Sequence, residues 1–591
     1  MPGSAHRLQR AWGEPPTGGV NGRSLGGDRV TAVVVPQSGA YLGPMIRQLR
    51  FVAALMLGLA LPPGLAAQNT MPISTEGMKP APPRAEGEGP WTRLILRGAN
   101  LIDGTGGPMR GPVDIVIENN RIAKLVDVGF PNVPIDPKGR PGDAVKEIDV
   151  TGMYVLPGFV DLHLHTGDVP KAPEAEYMYK LWMAHGITSG RGVPFSGDSK
   201  WVLSEKARSA KNEITAPRMW AYEVPGGVWD YFTGFQTAEE ARAWVRDAKQ
   251  RGVDGFKMSS FRPEIFGAVT DEAAKHGLGT VAHLAQTGVN QLNAADAAKL
   301  GLGSITHFYG LFEAMYENAD VQPYPEGYNY NDEQWRFGQV ARQWTLVKPK
   351  SEKWWALLNT LKAHDVTLDP TMTAYLSGRD LMARRSADWH QTYTLPSLWD
   401  FYTPNRVNHG AYFYNWTTWD EVAWRNFYRV WHELLNDYKN MGGRVTVSSD
   451  AGYIYNTYGF STIQEMELLQ EAGFHPLEVI RSATMYAAET LTKPLGRAPD
   501  FGVVRPGMLA DLVVVPENPI ANLKVLYGSG FVRLNDKTGK VERVGGVKYT
   551  IKDGIVYDAR KLLADAAAMV ARQKRERGIT RLPEPAFDGR P

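Results

Sequence analysis

The chain has 591 residues, 65 basic and 63 acidic side chains, and no cysteine. This near-neutral balance offers no electrostatic drive toward nucleic acid or an anionic membrane surface. Without cysteine there are no disulfides and no thiolate ligands, so any metal is held by nitrogen and oxygen. A chain of this length can rely on its hydrophobic core instead.

Residues 1–44 are rich in Gly, Pro, Ser and Arg and show no sustained hydrophobic period. They read as an over-extended N-terminus, with Met45 as the start. Residues 45–50 form a short basic region, 51–61 an apolar run, 62–64 a Pro-Pro-Gly break, and 65–67 a stretch of small residues. That is the layout of a secretory signal peptide over 45–67. The competing reading, an uncleaved membrane anchor, suffers from a run too short to span a bilayer comfortably. Residues 1–67 carry six basic and two acidic groups, which leaves 59 basic and 61 acidic in the remainder. The expected location is therefore periplasmic or secreted. Residues 68–92 are rich in Pro, Gly and Glu and read as a linker.

Strand texture begins after Trp91. Segments 94–102, 113–118 and 121–126 alternate, and Asn119-Asn120 turns between the last two as in a hairpin. Further strands are expected at 144–150 and 153–156. From Pro157 the rhythm becomes strand then helix, with strands at 158–165, 187–191, 218–222, 255–259, 279–283, 304–307, 365–371 and 444–450. Eight such units predict an α/β fold, a (β/α)8 TIM barrel over 157–495 with its chemistry at the C-terminal strand ends. Helices are expected at 463–472 and 476–491. Strand texture returns at 507–515 and in a hairpin, 547–551 and 555–557, around Lys552-Asp553-Gly554. Segments 93–156 and 496–558 are expected to join as one small β-sandwich domain built from both chain ends. Residues 559–591 read as a charged helix and a Pro-rich tail.

Within the barrel, Gly158-Phe-Val-Asp-Leu-His-Leu-His165 ends an apolar strand in two histidines at i and i+2. Alternate strand residues share a face, so His163 and His165 converge, as half of a metal site would. The plainer reading is two hydrogen-bonded histidines. Yet Lys257, His283, His307 and Asp450 also lie on or at the ends of predicted strands. His185, His276 and His364 each close a helix before a strand, where a helix C-terminus suits a partly protonated imidazole. His475 precedes Pro476 at a helix start. All four are set aside.

On these residues the chain resembles the amidohydrolase superfamily. The matching motifs are Gly158 to His165, Gly255-Phe-Lys257, Val281-Ala-His283, Ile305-Thr-His307 and Ser449-Asp450. The segment from Ala483-Thr484 through Gly502-Val-Val-Arg-Pro-Gly507-Met-Leu-Ala-Asp511 is similar to the family's C-terminal hallmark. The resemblance covers about residues 92–560. The position of Lys257 is similar to that in the carboxylated-lysine, dinuclear-metal branch, which is prolidase-like and imidazolonepropionase-like.

The resemblance implies two divalent metal ions, zinc by default, with manganese and cobalt compatible. His163, His165 and Asp450 would hold one, and His283 and His307 the other. Lys257, as a carbamate, would bridge them, since a free ammonium has no lone pair to donate. Asp450 would act as general base and then acid, and Tyr309 would donate to the oxyanion. For Lys257 the plainer reading is a buried lysine paired with a carboxylate, and for Tyr309 ordinary rim packing.

Strand two ends in Gly190-Arg191-Gly192, where many relatives show Arg-Asp. Arg191 is a candidate to hold a substrate carboxylate, as is Arg379, for which surface solvation is the alternative. Long insertions follow strands six and seven, aromatic-rich at 311–350 and 377–433. Ten of the seventeen tryptophans fall within 311–440. They read as the core of an enlarged subdomain or a homo-oligomer contact, or as an aromatic wall selecting a bulky substrate.

The expected activity is hydrolysis of a C–N bond in an amide, cyclic amide or dipeptide. The alternatives are a dinuclear esterase, lactonase or phosphotriesterase, and a non-catalytic barrel binding protein. The expected partner is a small molecule or dipeptide, with no nucleic acid and no stable membrane insertion.

Overall fold

The computed structural model describes residues 77–584 apart from 132, 196–199, 228–233, 320–321, 328–331, 405–409 and 411. The expectations for residues 1–67 lie outside the described residues.

Seven parallel strands form the barrel wall in sequence order: Phe159–Leu164, Ile187–Phe195, Arg218–Glu223, Gly255–Met258, Gly279–Ala282, Ser304–Thr306 and Thr367–Asp369. The expected eighth strand, 444–450, is not regular. It makes one parallel bridge, between Leu368 and Val445. It nevertheless lies between the first and seventh strands. The Leu368 N–H donates to the Arg444 carbonyl at 2.9 Å, and the Leu162 N–H donates to the Val447 carbonyl at 3.1 Å. The wall is nearly closed, and its last segment gives up ladder regularity to carry Asp450.

Helices alternate with the strands and show ordinary start and stop chemistry. Ala238–Arg251 begins under Thr237, whose hydroxyl accepts the Glu240 N–H, and stops at Gly252 with φ 96°. The expected helix 476–491 is two helices, Pro476–Ala483 and Met485–Thr492, broken at Thr484 with φ −132° and ψ −89°. The C-terminal helix Ala559–Glu576 packs on Ala175–Ala184, where Lys180 Nζ lies 2.8 Å from Asp565 and 2.7 Å from Glu86.

Both chain ends meet in one eight-stranded sheet. Tyr154–Pro157 pairs antiparallel with Leu512–Val515, which joins the N-terminal strands to the hairpin Tyr549–Lys552 and Ile555–Asp558. Its core draws on both ends, including Leu96, Ile115, Val155, Val514 and Ile551. Arg218 ties this sheet to the barrel through Asp511 and Asp553, each at 2.6 Å. A separate hairpin, Phe531–Asn535 with Lys540–Val544, was not legible in the sequence.

The aromatic-rich insertions fold as helices, the longest being Thr418–Asn440. Trp354, Trp424 and Trp431 are fully buried, Phe312 stacks on Phe427 at 4.4 Å, and Phe337 on Tyr412 at 4.1 Å. These rings form the core of an enlarged subdomain. Its inner edge reaches the barrel mouth through Tyr375, which stacks on Trp424 and stands edge-on to His307 at 5.5 Å.

Candidate metal centre

The C-terminal strand ends bring His163, His165, Lys257, His307 and Asp450 together. His163 Nε2 lies 3.1 Å from His165 Nε2 and 3.1 Å from Lys257 Nζ. Asp450 Oδ1 lies 2.7 Å from His165 Nε2 and 3.5 Å from His163 Nε2, and Asp450 Oδ2 lies 3.8 Å from His307 Nε2. The ligand atoms of His163, His165 and Asp450 fall within 4.8 Å of one another. His283, half-buried, stands at the rim with its ring 4.8 Å from that of His307. Tyr309 faces His283, ring to ring at 4.8 Å.

The strand-one pattern is less regular than strict alternation implies. Its pairing with the second strand shifts register between Asp161 and Leu164. Three strand-end residues, His307, Thr371 and Asp450, take left-handed backbone conformations with φ of 64°, 50° and 50°. Such conformations are costly outside glycine and cluster at functional sites.

The donor chemistry fits a divalent cation. Thr371 donates its hydroxyl hydrogen to the Pro370 carbonyl at 2.6 Å. The Thr371 hydroxyl also lies against His307 Nδ1, which leaves His307 Nε2 turned toward Asp450. His163 Nδ1 is likewise engaged, by Thr306 Oγ1 at 2.9 Å. Fixing the outer nitrogen in this way is how proteins orient metal-binding imidazoles.

The electrostatics agree. Burial, reinforced by the Lys257 charge, holds the His163 imidazolium well below its ordinary pKa, so the ring is neutral. Burial lowers His165 as well, against the pull of Asp450. Burial pushes Lys257 down to about 7, opposed by Asp450 and Asp369. A lysine that readily gives up its proton supplies the neutral amine that carbamate formation requires. Nitrogen and oxygen donors of this kind suit zinc, manganese or cobalt.

Arg191 is buried. It is 1% exposed, donates to the Leu162 carbonyl at 2.8 Å and to Ser304 Oγ at 3.1 Å, and pairs with Asp369 inside the barrel. These contacts tie it to the first, sixth and seventh strands. Arg379 pairs with Glu471 at 2.7 Å and with Asp380 at 2.6 Å, away from the centre. His185, His276 and His364 are helix C-cap residues and His475 an N-cap, as expected. The partly protonated state expected of His185 is overturned, because burial pushes its pKa down to about 4.

Several contributors escaped the sequence reading. Asp161 is fully buried, accepts the His163 and Ser449 N–H groups at 3.0 Å each, and is pushed up to about 6 by burial. A carboxylate inside the apolar run Phe159-Val-Asp-Leu was a usable signal, since buried charged groups need partners. Thr306 and Thr371 sat beside recognised motif residues. Tyr453, 5.2 Å from the His165 ring, and the buried Lys171 over its face at 4.1 Å gave no pattern to read.

Comparisons with known proteins add the following. Residues 428–556 match the Amidohydrolase family. A 73-residue stretch is 38% identical to N-acyl-D-aspartate deacylase of Alcaligenes xylosoxydans xylosoxydans, covering 12% of this chain and 12% of that protein. Among solved structures, a Xaa-Pro dipeptidase with methionine bound in its active site is similar with TM-score 0.51 and 20% identity, over 79% of this chain and 100% of the other. A bottromycin amidohydrolase is similar with TM-score 0.54 and 19% identity, over 81% of this chain and 91% of the other. These structural likenesses show a shared fold. The family match covers residues 428–556 alone.

Proposed function

We propose that the chain is a metal-dependent hydrolase of amide-type C–N bonds, acting on a small N-acyl or dipeptide-like substrate. The observation that carries this reading is the convergence of His163 Nε2, His165 Nε2 and the Asp450 carboxylate at one strand-end cluster, with Lys257 and His307 beside it. His163, His165 and Asp450 would hold one divalent ion, zinc by default. His283 and His307 would hold a second, with Lys257 as a carbamate between them. Such ions polarise a carbonyl and lower the pKa of water.

The chain's own groups then have defined tasks. Asp450, 14% exposed on its side chain, is the carboxylate placed to take a proton from water and return it to the leaving nitrogen. Thr371 and Thr306 hold the imidazole rings of His307 and His163. Tyr309, packed on His283, is the proposed donor to the oxyanion. Tyr375 and the aromatic subdomain behind it keep one side of the mouth apolar and dry.

The basic, apolar and small-residue layout of 45–67 supports an exported location.

The test is metal content of protein purified in bicarbonate with added zinc, beside a Lys257→Ala variant, followed by hydrolysis of N-acyl amino acids, dipeptides and their ester isosteres. About two metals per chain, fewer in the variant, with amides cleaved, is the expected result. Protein that takes up no zinc, or that cleaves only the esters, overturns the reading.

A further inference from the structure

Behind the proposed metal centre, fully buried polar groups form a chain of hydrogen bonds whose two ends lie on one helix. The Thr462 hydroxyl donates to Asp161 Oδ2 at 2.6 Å, and the Ser449 N–H donates to Asp161 Oδ1 at 3.0 Å. The Thr373 hydroxyl donates to the Ser449 carbonyl at 2.8 Å, and the Thr373 N–H donates to Glu465 Oε2 at 2.8 Å. Thr462 and Glu465 stand three residues apart on the helix Phe460–Glu471, so they share a face and hold the two ends of this hydrogen-bond chain. Asp161, Thr373, Ser449, Thr462 and Glu465 all have 0% exposure.

Each link touches a proposed ligand at one remove. Asp161 also accepts the backbone N–H of His163. Ser449 precedes Asp450. Glu465 Oε1 accepts the Met372 N–H at 2.9 Å, so Glu465 fixes the two residues that follow Thr371, the residue whose hydroxyl engages His307. The helix itself is seated by Gly459, whose φ is 78°. A Cβ there would lie 2.6 Å from the Leu181 carbonyl and 2.5 Å from His185 Nδ1, so no larger residue lets the helix approach so closely.

A carboxyl group buried with backbone amides as its partners is a costly choice if the helix needs only to pack. An apolar side chain would fill that interface without desolvating a polar group. What an apolar side chain cannot do is accept two consecutive N–H groups and so set the path of a strained turn. We propose that Thr462 and Glu465 are positioning residues for the metal ligands. Thr462 sets His163 and Asp450 through Asp161, and Glu465 sets His307 through the turn 371–373. One helix thereby holds the ends of the first, seventh and eighth barrel segments in mutual register. The inference rests on the metal-centre reading above.

The experiment measures zinc affinity of the full chain by competition with a chelator, with thermal melts of the metal-free protein alongside. The variants are Thr462→Val, Thr462→Ser, Glu465→Gln and Glu465→Leu. Glu313→Gln, a buried acid outside this hydrogen-bond chain, is the control for stability loss alone. Outer-shell changes of this kind weaken metal binding about 10–100-fold. That loss is expected for Thr462→Val and Glu465→Leu, with a smaller one for Glu465→Gln, which keeps one acceptor oxygen. Thr462→Ser, which keeps the hydroxyl, is expected to bind zinc as the parent does. Folded Thr462→Val with parental zinc affinity overturns the proposal, as does a Glu313→Gln control that loses zinc equally. Should Glu465→Leu fail to fold, the Thr462→Val and Thr462→Ser pair decides alone. A parent protein that binds no zinc fails at the metal-centre reading itself, which separates that outcome from failure of the positioning role.

Discussion

Asp450 Oδ1 stands 2.7 Å from His165 Nε2, although the whole barrel sequence separates the two residues. The contact exists because the irregular last segment of the wall hydrogen-bonds to the first strand: the Asp450 N–H donates to the His163 carbonyl at 3.0 Å. Closure of the barrel and assembly of the candidate site are thus one event. Asp450→Asn preserves shape while removing charge and basicity. We expect amide hydrolysis to fall by about 10²–10⁴-fold, the usual worth of a general acid–base group. Steady-state kinetics with matched metal loading measures it, and a loss below tenfold would remove Asp450 from the proton-transfer role.

Thr371→Val removes the hydroxyl that engages His307 Nδ1. The ring is then free to turn away from the orientation that points Nε2 at Asp450. Metal affinity is expected to drop about 10–100-fold with little change in secondary structure. Chelator competition and circular dichroism check the two halves of that statement. Affinity equal to the parent would mean the ring is oriented by something else.

Arg191 and Asp369 form a buried ion pair, their side chains 1% and 0% exposed. Arg191→Met leaves Asp369 uncompensated in the barrel interior, and removal of one partner from such a pair costs about 3–5 kcal/mol. Adding Asp369→Leu is expected to recover most of that stability, because no charge then remains buried. Urea melts of the single and double variants give the comparison. Any activity that survives should fall equally for substrates with and without a carboxylate. Selective loss on carboxylate substrates would support the ligand-holding role that the sequence suggested for Arg191.

Glu313, which accepts hydrogen bonds from Gly310, Gln322 and Gln343 rather than from the proposed ligands, offers a pH test. Burial pushes its carboxyl from the ordinary 4.5 up to about 7, against hydrogen bonds from the Gly310 N–H and Gln322. Between those values the folded chain holds a proton that the unfolded chain releases, so stability falls as pH rises. The stabilising contribution is complete below about pH 4.5 and is lost as pH rises through about 7. Relative to Glu313→Gln, the parent should therefore lose stability across that window. Urea melts in matched buffers would show it, and a difference that stays constant or grows with pH would contradict the raised pKa.

Gly459→Ala tests the seating of the helix Phe460–Glu471. The substitution meets both an unfavourable φ of 78° and a backbone carbonyl at 2.6 Å. A cost of about 1–3 kcal/mol from the conformation alone is expected, with more from the clash. A thermal melt unchanged from the parent would show that the helix can shift without penalty.

Much was legible because periodicity and motif spacing are local. The repeating strand and helix signals placed all eight barrel segments, seven of which form regular strands, and six residues at their ends marked a candidate centre. The pairing of both chain ends into one sheet could be anticipated from the return of strand texture after residue 507. Where the reading missed, a long-range partner decided. Thr484 reads as helix until its neighbours place it at a break. Arg191 shows no partner in the sequence, and Asp369, far along the chain, pairs with it. The tryptophans of the insertions look equally suited to a binding wall or a core until Trp354, Trp424 and Trp431 prove fully buried.

By itself, then, the sequence determined the alternation of strands and helices and the chemical identity of the converging donors, since both follow from residue type and spacing along one chain. Only the tertiary structure decided which nitrogen of His307 faces inward. It alone linked Asp161, Thr373, Ser449, Thr462 and Glu465 through buried hydrogen bonds, and it paired Arg191 with Asp369. Those outcomes depend on partners 64 to 301 residues apart, and such partners acquire their distances when the barrel closes.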